Sequence, residues 1–177
     1  MKPAWIILHT EDGPGNFATV EAYHKRKWYF RSSLGYFCGY QYFIEKDGKV
    51  IQARKDDEEG AHTIGRNLDS IGICLAGDGD IELPTPAQRI ALRDLVKRKL
   101  IEWAIYRDRV TFHRRWNIYK TCPGTKIDGS WLEELLADPK PQDPDLPRKM
   151  LELSLWQRIK ELYEQLKNIN ANNIKLS

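Results

Sequence analysis

Residues 4–10, Ala-Trp-Ile-Ile-Leu-His-Thr, set a continuous apolar run between Pro3 and the turn-forming stretch Glu11-Asp12-Gly13-Pro14-Gly15-Asn16. So short and so apolar a run suits a strand buried on both faces, with His9 at its carboxyl end. Residues 70–76, Ser-Ile-Gly-Ile-Cys-Leu-Ala, form a second such strand before Gly77-Asp78-Gly79-Asp80 turns the chain. Residues 38–45 are aromatic and β-branched, and Asp47-Gly48 leads into residues 49–53, which reads as an antiparallel hairpin closed by a type I′ turn. Residues 110–113 are a brief strand or extended loop.

Helical periods alternate with these strands. Val20, Tyr23, His24, Lys27 and Trp28 recur with helical spacing over about residues 19–30, with Asn16 or Thr19 as cap. Thr85-Pro86-Ala87-Gln88 is a helix start, with Thr as N-cap, Pro in the first turn and Gln three residues after the cap. Ile90, Leu92, Leu95, Val96, Leu100 and Trp103 carry that helix on. Residues 129–137 read as a short closing helix capped by Ser130. Strands interleaved with helices, one hairpin among them, argue for an α/β fold with a mixed sheet. Residues 56–68 carry glycine and no period, as a surface loop near a site would.

Composition bounds what such a fold can be for. The chain has 177 residues, 41% hydrophobic and 30% charged, within the range of folded globular proteins. A net charge of +3 is too small to make nucleic acid the expected partner. No apolar run approaches the roughly 18 to 20 residues of a membrane-spanning helix, and the first run is too short for a signal-peptide core. The chain is therefore expected to be cytoplasmic as synthesised. Cys38, Cys74 and Cys122 are three and widely spaced, so no disulfide framework is expected. Residues 1–138 read as one domain, followed by a Pro-rich linker at 139–147 and an amphipathic helix and tail at 148–177. In that helix Leu155, Ile159, Leu162, Leu166 and Ile169 form a seam that either docks on its own domain or serves self-association or a protein partner.

Two of the four histidines, His9 and His113, fall where strands run out into loops, the usual place for working groups on a rigid scaffold. Cys122 follows His113 by nine residues in Lys120-Thr121-Cys122-Pro123-Gly124, where the lysine is expected to favour the thiolate. Two imidazoles and a thiolate make a tetrahedral zinc site with one corner left open.

The ordered segments Ile6-Ile7-Leu8-His9-Thr10, residues 39–48 ending Lys46-Asp47-Gly48, Gly60-Ala61-His62-Thr63-Ile64-Gly65-Arg66-Asn67, residues 70–77, Thr85-Pro86-Ala87-Gln88, and Phe112-His113 with Lys120-Thr121-Cys122-Pro123-Gly124 carry a resemblance. Over about residues 4–128 the chain resembles the zinc-dependent N-acetylmuramoyl-L-alanine amidases, a family that takes in amidase-type phage lysozymes and peptidoglycan-recognition proteins. The resemblance implies a central mixed sheet flanked by helices, a C-terminal extension outside the matched region, and one Zn2+ per chain. It implies cleavage of the amide between muramic acid and L-Ala in peptidoglycan or a muropeptide, with action on the cell wall after release. His9, His113 and Cys122 resemble the metal ligands, Tyr40 the catalytic tyrosine and Lys120 the catalytic lysine. His62, Asn67 and Arg66 in the loop, and His24 and Trp28 on the first helix, resemble substrate contacts. Position 10 is Thr and position 41 Gln where relatives carry His. The alternative is a module of the same fold that binds muropeptide without cutting it, against which Cys122 counts.

Overall fold

In the computed structural model, which describes residues 1–13 and 15–137, five strands and three helices follow one another in the order β1, α1, β2, β3, β4, α2, β5, α3. They form one compact unit, Met1–Leu136. The Pro-rich linker, the seam of the terminal helix and the domain boundary at 138 lie outside the described residues.

β1 (Trp5–Thr10) and β4 (Ser70–Leu75) are buried along their whole length and pair in parallel at the middle of the sheet. β5 (Val110–Phe112) flanks β1 in parallel, and β2 (Tyr42–Ile44) flanks β4 in parallel. β3 (Val50–Gln52) adds antiparallel at the edge, giving the order β3-β2-β4-β1-β5. The sheet is mixed, as expected, because one hairpin sits on an otherwise parallel core.

That hairpin differs from expectation in its turn. The Gly48 N–H donates to Glu45 C=O at 2.9 Å, and Gly48 is at φ +87 while Asp47 is not at positive φ. A type I′ turn needs both; the observed loop is the three-residue kind, with a glycine at the left-handed position and the Asp47 carboxylate accepting from Lys49 N–H. β2 is also shorter than residues 38–45. The N–H groups of Phe37 and Cys38 donate to the Glu21 carboxylate and that of Gly39 to His24 Nδ1, so these residues are tied to the first helix and not to a neighbouring strand.

α1 (Phe17–Trp28) starts from Asn16, whose side chain accepts from Thr19 N–H while Thr19 Oγ1 accepts from Asn16 N–H. α2 (Pro86–Glu102) carries the same reciprocal cap between Thr85 and Gln88. Gln88 does more: its buried amide donates to the carbonyls of Ile44 and Ala76, pinning the helix start to the ends of β2 and β4. α3 (Gly129–Leu136) is capped by Asp128, not Ser130, through Trp131 N–H to Oδ1 at 2.8 Å. The choice follows geometry, since a capping side chain must lie outside the first turn it serves.

The two sheet faces are covered unequally. Ile6, Leu8, Ile71, Ile73 and Leu75 pack with Leu92, Leu95 and Val96 of α2 and Leu132 and Leu135 of α3 in the larger core. On the other face a smaller cluster joins Val20 of α1 to Phe43, Cys38 and Cys74. All three thiols are free and buried. Among the described residues no helix is long and apolar enough to cross a membrane.

Candidate metal centre

Register brings the two histidines together. β1 and β5 pair with Leu8 opposite Phe112, so the next residue of each chain, His9 and His113, stands abreast of the other at the carboxyl ends of neighbouring parallel strands. Their ring centroids are 4.7 Å apart. Residues in register on parallel strands share a face, and β1 faces β4 with His9 opposite Cys74. The cluster therefore stands on the thinly covered face.

Cys122 arrives from a loop held on several sides. Thr10 Oγ1 donates to Pro123 C=O at 2.9 Å, and the Arg114 guanidinium donates to the carbonyls of Thr121, Gly124 and Ile127. Asp80 accepts from Thr121 Oγ1 at 2.6 Å and Thr125 N–H at 2.7 Å. Gly124, at φ +110, lies so close to Gly79 that a Cβ built on it would fall 2.0 Å from the Gly79 carbonyl carbon. This clamp sets Cys122 Sγ 3.7 Å from His9 Nδ1. One ligating atom each from His9, His113 and Cys122 all lie within 4.8 Å of one another. A nitrogen and a sulfur sharing a tetrahedral zinc at about 2.0 and 2.3 Å would stand about 3.5 Å apart, so the donor set and its spacing fit that ion.

The opposite nitrogen of His9 is engaged too. Its Nε2 is 3.1 Å from His62 Nδ1 and 3.3 Å from Thr63 Oγ1. With Nδ1 turned to the thiol, Nε2–H is the donor to this pair, which fixes the ring's tautomer and plane. His62 lies flat over Gly72, where a Cβ would meet its ring at 2.6 Å. Its Nε2 is buried without a hydrogen-bond partner among the described residues.

Burial dominates the electrostatics. His9, 1% exposed, is pushed well below the ordinary imidazole range by burial and then by His62, His113 and His24. His62 falls to about 3 by burial, and His113 falls by burial and then by the Lys120 charge. Each imidazole is neutral at pH 7, with a lone pair to offer. Burial pushes Cys122 up to about 12 and outweighs Thr10, Lys120 and Arg114, which pull the thiol down, the lysine as expected. The lysine is exposed and the sulfur is not.

Tyr40 packs against the cluster, its ring 5.0 Å from His9 and 6.1 Å from His62, and burial holds its hydroxyl protonated. Lys120 is at the rim, where its charge reaches both His113 and Cys122. His24 is buried in the wall behind Tyr40, 5.5 Å from it, with its pKa lowered to about 4 by burial. Trp28 stacks on His24 at 4.4 Å and reaches the surface. Asn67 turns its side-chain oxygen inward to the N–H groups of His62 and Thr63. Arg66 pairs with Asp69 and lies 4.1 Å over Trp116, away from the cluster.

Thr63, Arg114 and Asp80 were not singled out from the sequence, and Thr10 was noted there only as a departure from relatives and not given a role. Only Thr10 carried a signal there, as the residue after a strand-end histidine. Gln41 proves structural: its buried side chain bridges Gly72 N–H and Glu58 C=O.

A mixed α/β sheet bearing a His, His, Cys cluster at the carboxyl ends of two neighbouring parallel strands defines a domain with a candidate metal centre. Residues 1–125 match the N-acetylmuramoyl-L-alanine amidase family. The endolysin of Klebsiella phage KP32 is 33% identical over 104 residues, 56% of this chain and 67% of that protein. Peptidoglycan-recognition protein SC2 of Drosophila melanogaster is 31% identical over 128 residues, 69% of this chain and 68% of the other. The solved N-acetylmuramoyl-L-alanine amidase LysC from Clostridium intestinale URNW shares the fold, with a TM-score of 0.67 at 23% identity over 76% of this chain and 85% of its own. The chain belongs to the N-acetylmuramoyl-L-alanine amidase family, hydrolases that cleave the amide between N-acetylmuramic acid and L-Ala in peptidoglycan.

Proposed function

We propose that the chain performs this hydrolysis with one Zn2+ held by His9, His113 and Cys122, and with Tyr40 and Lys120 acting on the scissile amide of peptidoglycan or a muropeptide. The observation that carries the reading is the convergence of three donors from three separate segments to within 4.8 Å. When bound, zinc supplies Lewis acidity, which polarises an amide carbonyl and makes water a nucleophile near neutral pH.

The chain's own groups do the rest. His62 and Thr63 accept the His9 Nε2–H and hold that ring in plane. Lys120, the exposed cation beside His113 and Cys122, meets the negative charge that develops on the carbonyl oxygen. The protonated Tyr40 hydroxyl is a donor to the attacking water or to that oxygen. His24 and Asn67 act from within, His24 by backing Tyr40 and Asn67 by holding the N–H groups of His62 and Thr63.

Metal analysis of the purified chain together with release of stem peptide from sacculi tests the reading. The expected result is about one zinc per chain and release of the peptide, both lost in Cys122→Ala. Zinc retained with full activity in that variant would remove the ligand assignment.

A further inference from the structure

We infer that Arg54 is a positioning residue for the amide hydrolysis, fixing through backbone carbonyls the segment that carries Tyr40. Arg54 is 0% exposed and is the largest of the fully buried side chains among the described residues. Burying a guanidinium is costly unless its N–H groups find acceptors, so its partners show what it serves. Nε donates to Cys38 C=O at 2.7 Å, one terminal nitrogen to Glu59 C=O at 3.1 Å and the other to Phe30 C=O. The Phe30 ring stacks on the guanidinium at 4.3 Å. The ion pair with Glu58 is loose, at 3.9 Å. The side chain is thus spent on backbone.

The three acceptors come from three segments, and two of these lead into the metal cluster. Cys38 is two residues before Tyr40, whose ring stands 5.0 Å from His9, and Glu59 is three residues before His62. The two segments touch. Ala61 N–H donates to Gly39 C=O at 2.8 Å, and a Cβ on Gly39 would fall 2.3 Å from the Ala61 oxygen.

Other groups beside Tyr40 are held from α1 and from the sheet. Cys38 N–H donates to the Glu21 carboxylate, Gly39 N–H to His24 Nδ1 and Gln41 N–H to Gly72 C=O. The Cys38 carbonyl has no donor but Arg54 among the described residues. A planar fork with fixed N–H directions sets the three carbonyls relative to one another, which a single ammonium cannot do. None of its hydrogen bonds goes to His9, His113, Cys122 or Thr63, so its influence on the reaction runs through Tyr40. The inference rests on the proposed role of Tyr40 as a donor. Misplacing a reacting group by about 1 Å can cost on the order of 10²-fold in rate.

Kinetics of the zinc-loaded full chain on a soluble muropeptide, with hydrogen exchange read by mass spectrometry, test this. Arg54→Lys keeps a cation and loses the fork; it should lower kcat about tenfold with KM and zinc content unchanged. A general loosening would also lower kcat, so the discriminating readout is the cycle with Tyr40→Phe. The double variant should turn over within about twofold of Tyr40→Phe alone, whereas independent losses would multiply to about a thousandfold below the parent. Amides of residues 38–41 should exchange about tenfold faster in Arg54→Lys, with β1, β4 and α2 as in the parent. Phe30→Leu leaves the fork and removes the stacked ring, and should give the same pattern at about two- to fivefold, which keeps the test open if Arg54→Lys does not fold.

A parental kcat in folded Arg54→Lys, losses that multiply in the double variant, unchanged exchange at 38–41, or zinc lost along with rate would each overturn the proposal. Tyr40→Phe at the parental rate is a different failure. It removes the donor role of Tyr40 and with it the part of Arg54 in the reaction, while the exchange data still show whether Arg54 holds the segment.

Discussion

His9 is engaged through both ring nitrogens, Nδ1 toward the Cys122 sulfur and Nε2 toward His62 and Thr63. A ligand fixed at its far side keeps its lone pair aimed, and removing such support typically costs a metal site 10–100-fold in affinity. Thr63→Val should accordingly weaken zinc binding by about that factor in a competition titration with a chromophoric chelator, with the fold unchanged by circular dichroism. Lys120→Ala and Tyr40→Phe make the opposite prediction. Neither removes a donor, so zinc content should stay at one per chain while kcat falls about 10²-fold. Unchanged rates would reduce Lys120 to a solvated charge and Tyr40 to a packing residue. At this scale the sequence was legible where chemistry is local. His9 and His113 stand at the ends of short apolar runs, and Cys122 sits in a Cys-Pro-Gly break. Thr63 and Arg114 were not legible, because each acts only through partners that the fold brings to it.

Elements divide the same way. The α2 cap was legible from spacing alone, whereas at α1 the sequence left Asn16 and Thr19 as alternatives and the two prove to be the halves of one reciprocal cap. The α3 cap was misassigned by two positions and the hairpin by its turn type, because nearby candidates such as Asp128 and Ser130 differ only in which faces the first open N–H. The short β2 was beyond reach from sequence: its missing residues are held by Glu21 and His24 of another element. Two substitutions separate an element's stability from its service to the site. Thr85→Ala removes a cap on α2 and should cost about 1 kcal/mol in a urea titration, with zinc affinity unchanged. Gly124→Ala places a Cβ against Gly79 at a backbone φ of +110, which should cost about 2 kcal/mol or more and also weaken zinc binding, because the displaced loop carries Cys122.

For the whole molecule, the decisive asymmetry is between the two faces of the sheet. One is sealed by α2 and α3 over the larger core; the other has α1 over the β2 side and leaves the ends of β1 and β5 to polar residues. His9, His113 and Cys122 come from three segments more than a hundred residues apart at the extremes, and the sheet register and the Cys122 clamp exist only in the folded chain. An ion they share must therefore bind the native state and not the unfolded one, and its binding free energy adds to folding stability. At a free zinc concentration a hundredfold above the dissociation constant the gain is about 2.7 kcal/mol. For a chain of this length that raises the melting temperature by roughly 5–10 °C. Differential scanning calorimetry of the zinc-loaded chain should show that shift and its loss on adding a chelator. Cys122→Ala should melt at the same temperature with and without zinc. A parent chain whose melting is indifferent to zinc would mean that the three donors, close as they are, do not hold an ion in the native state.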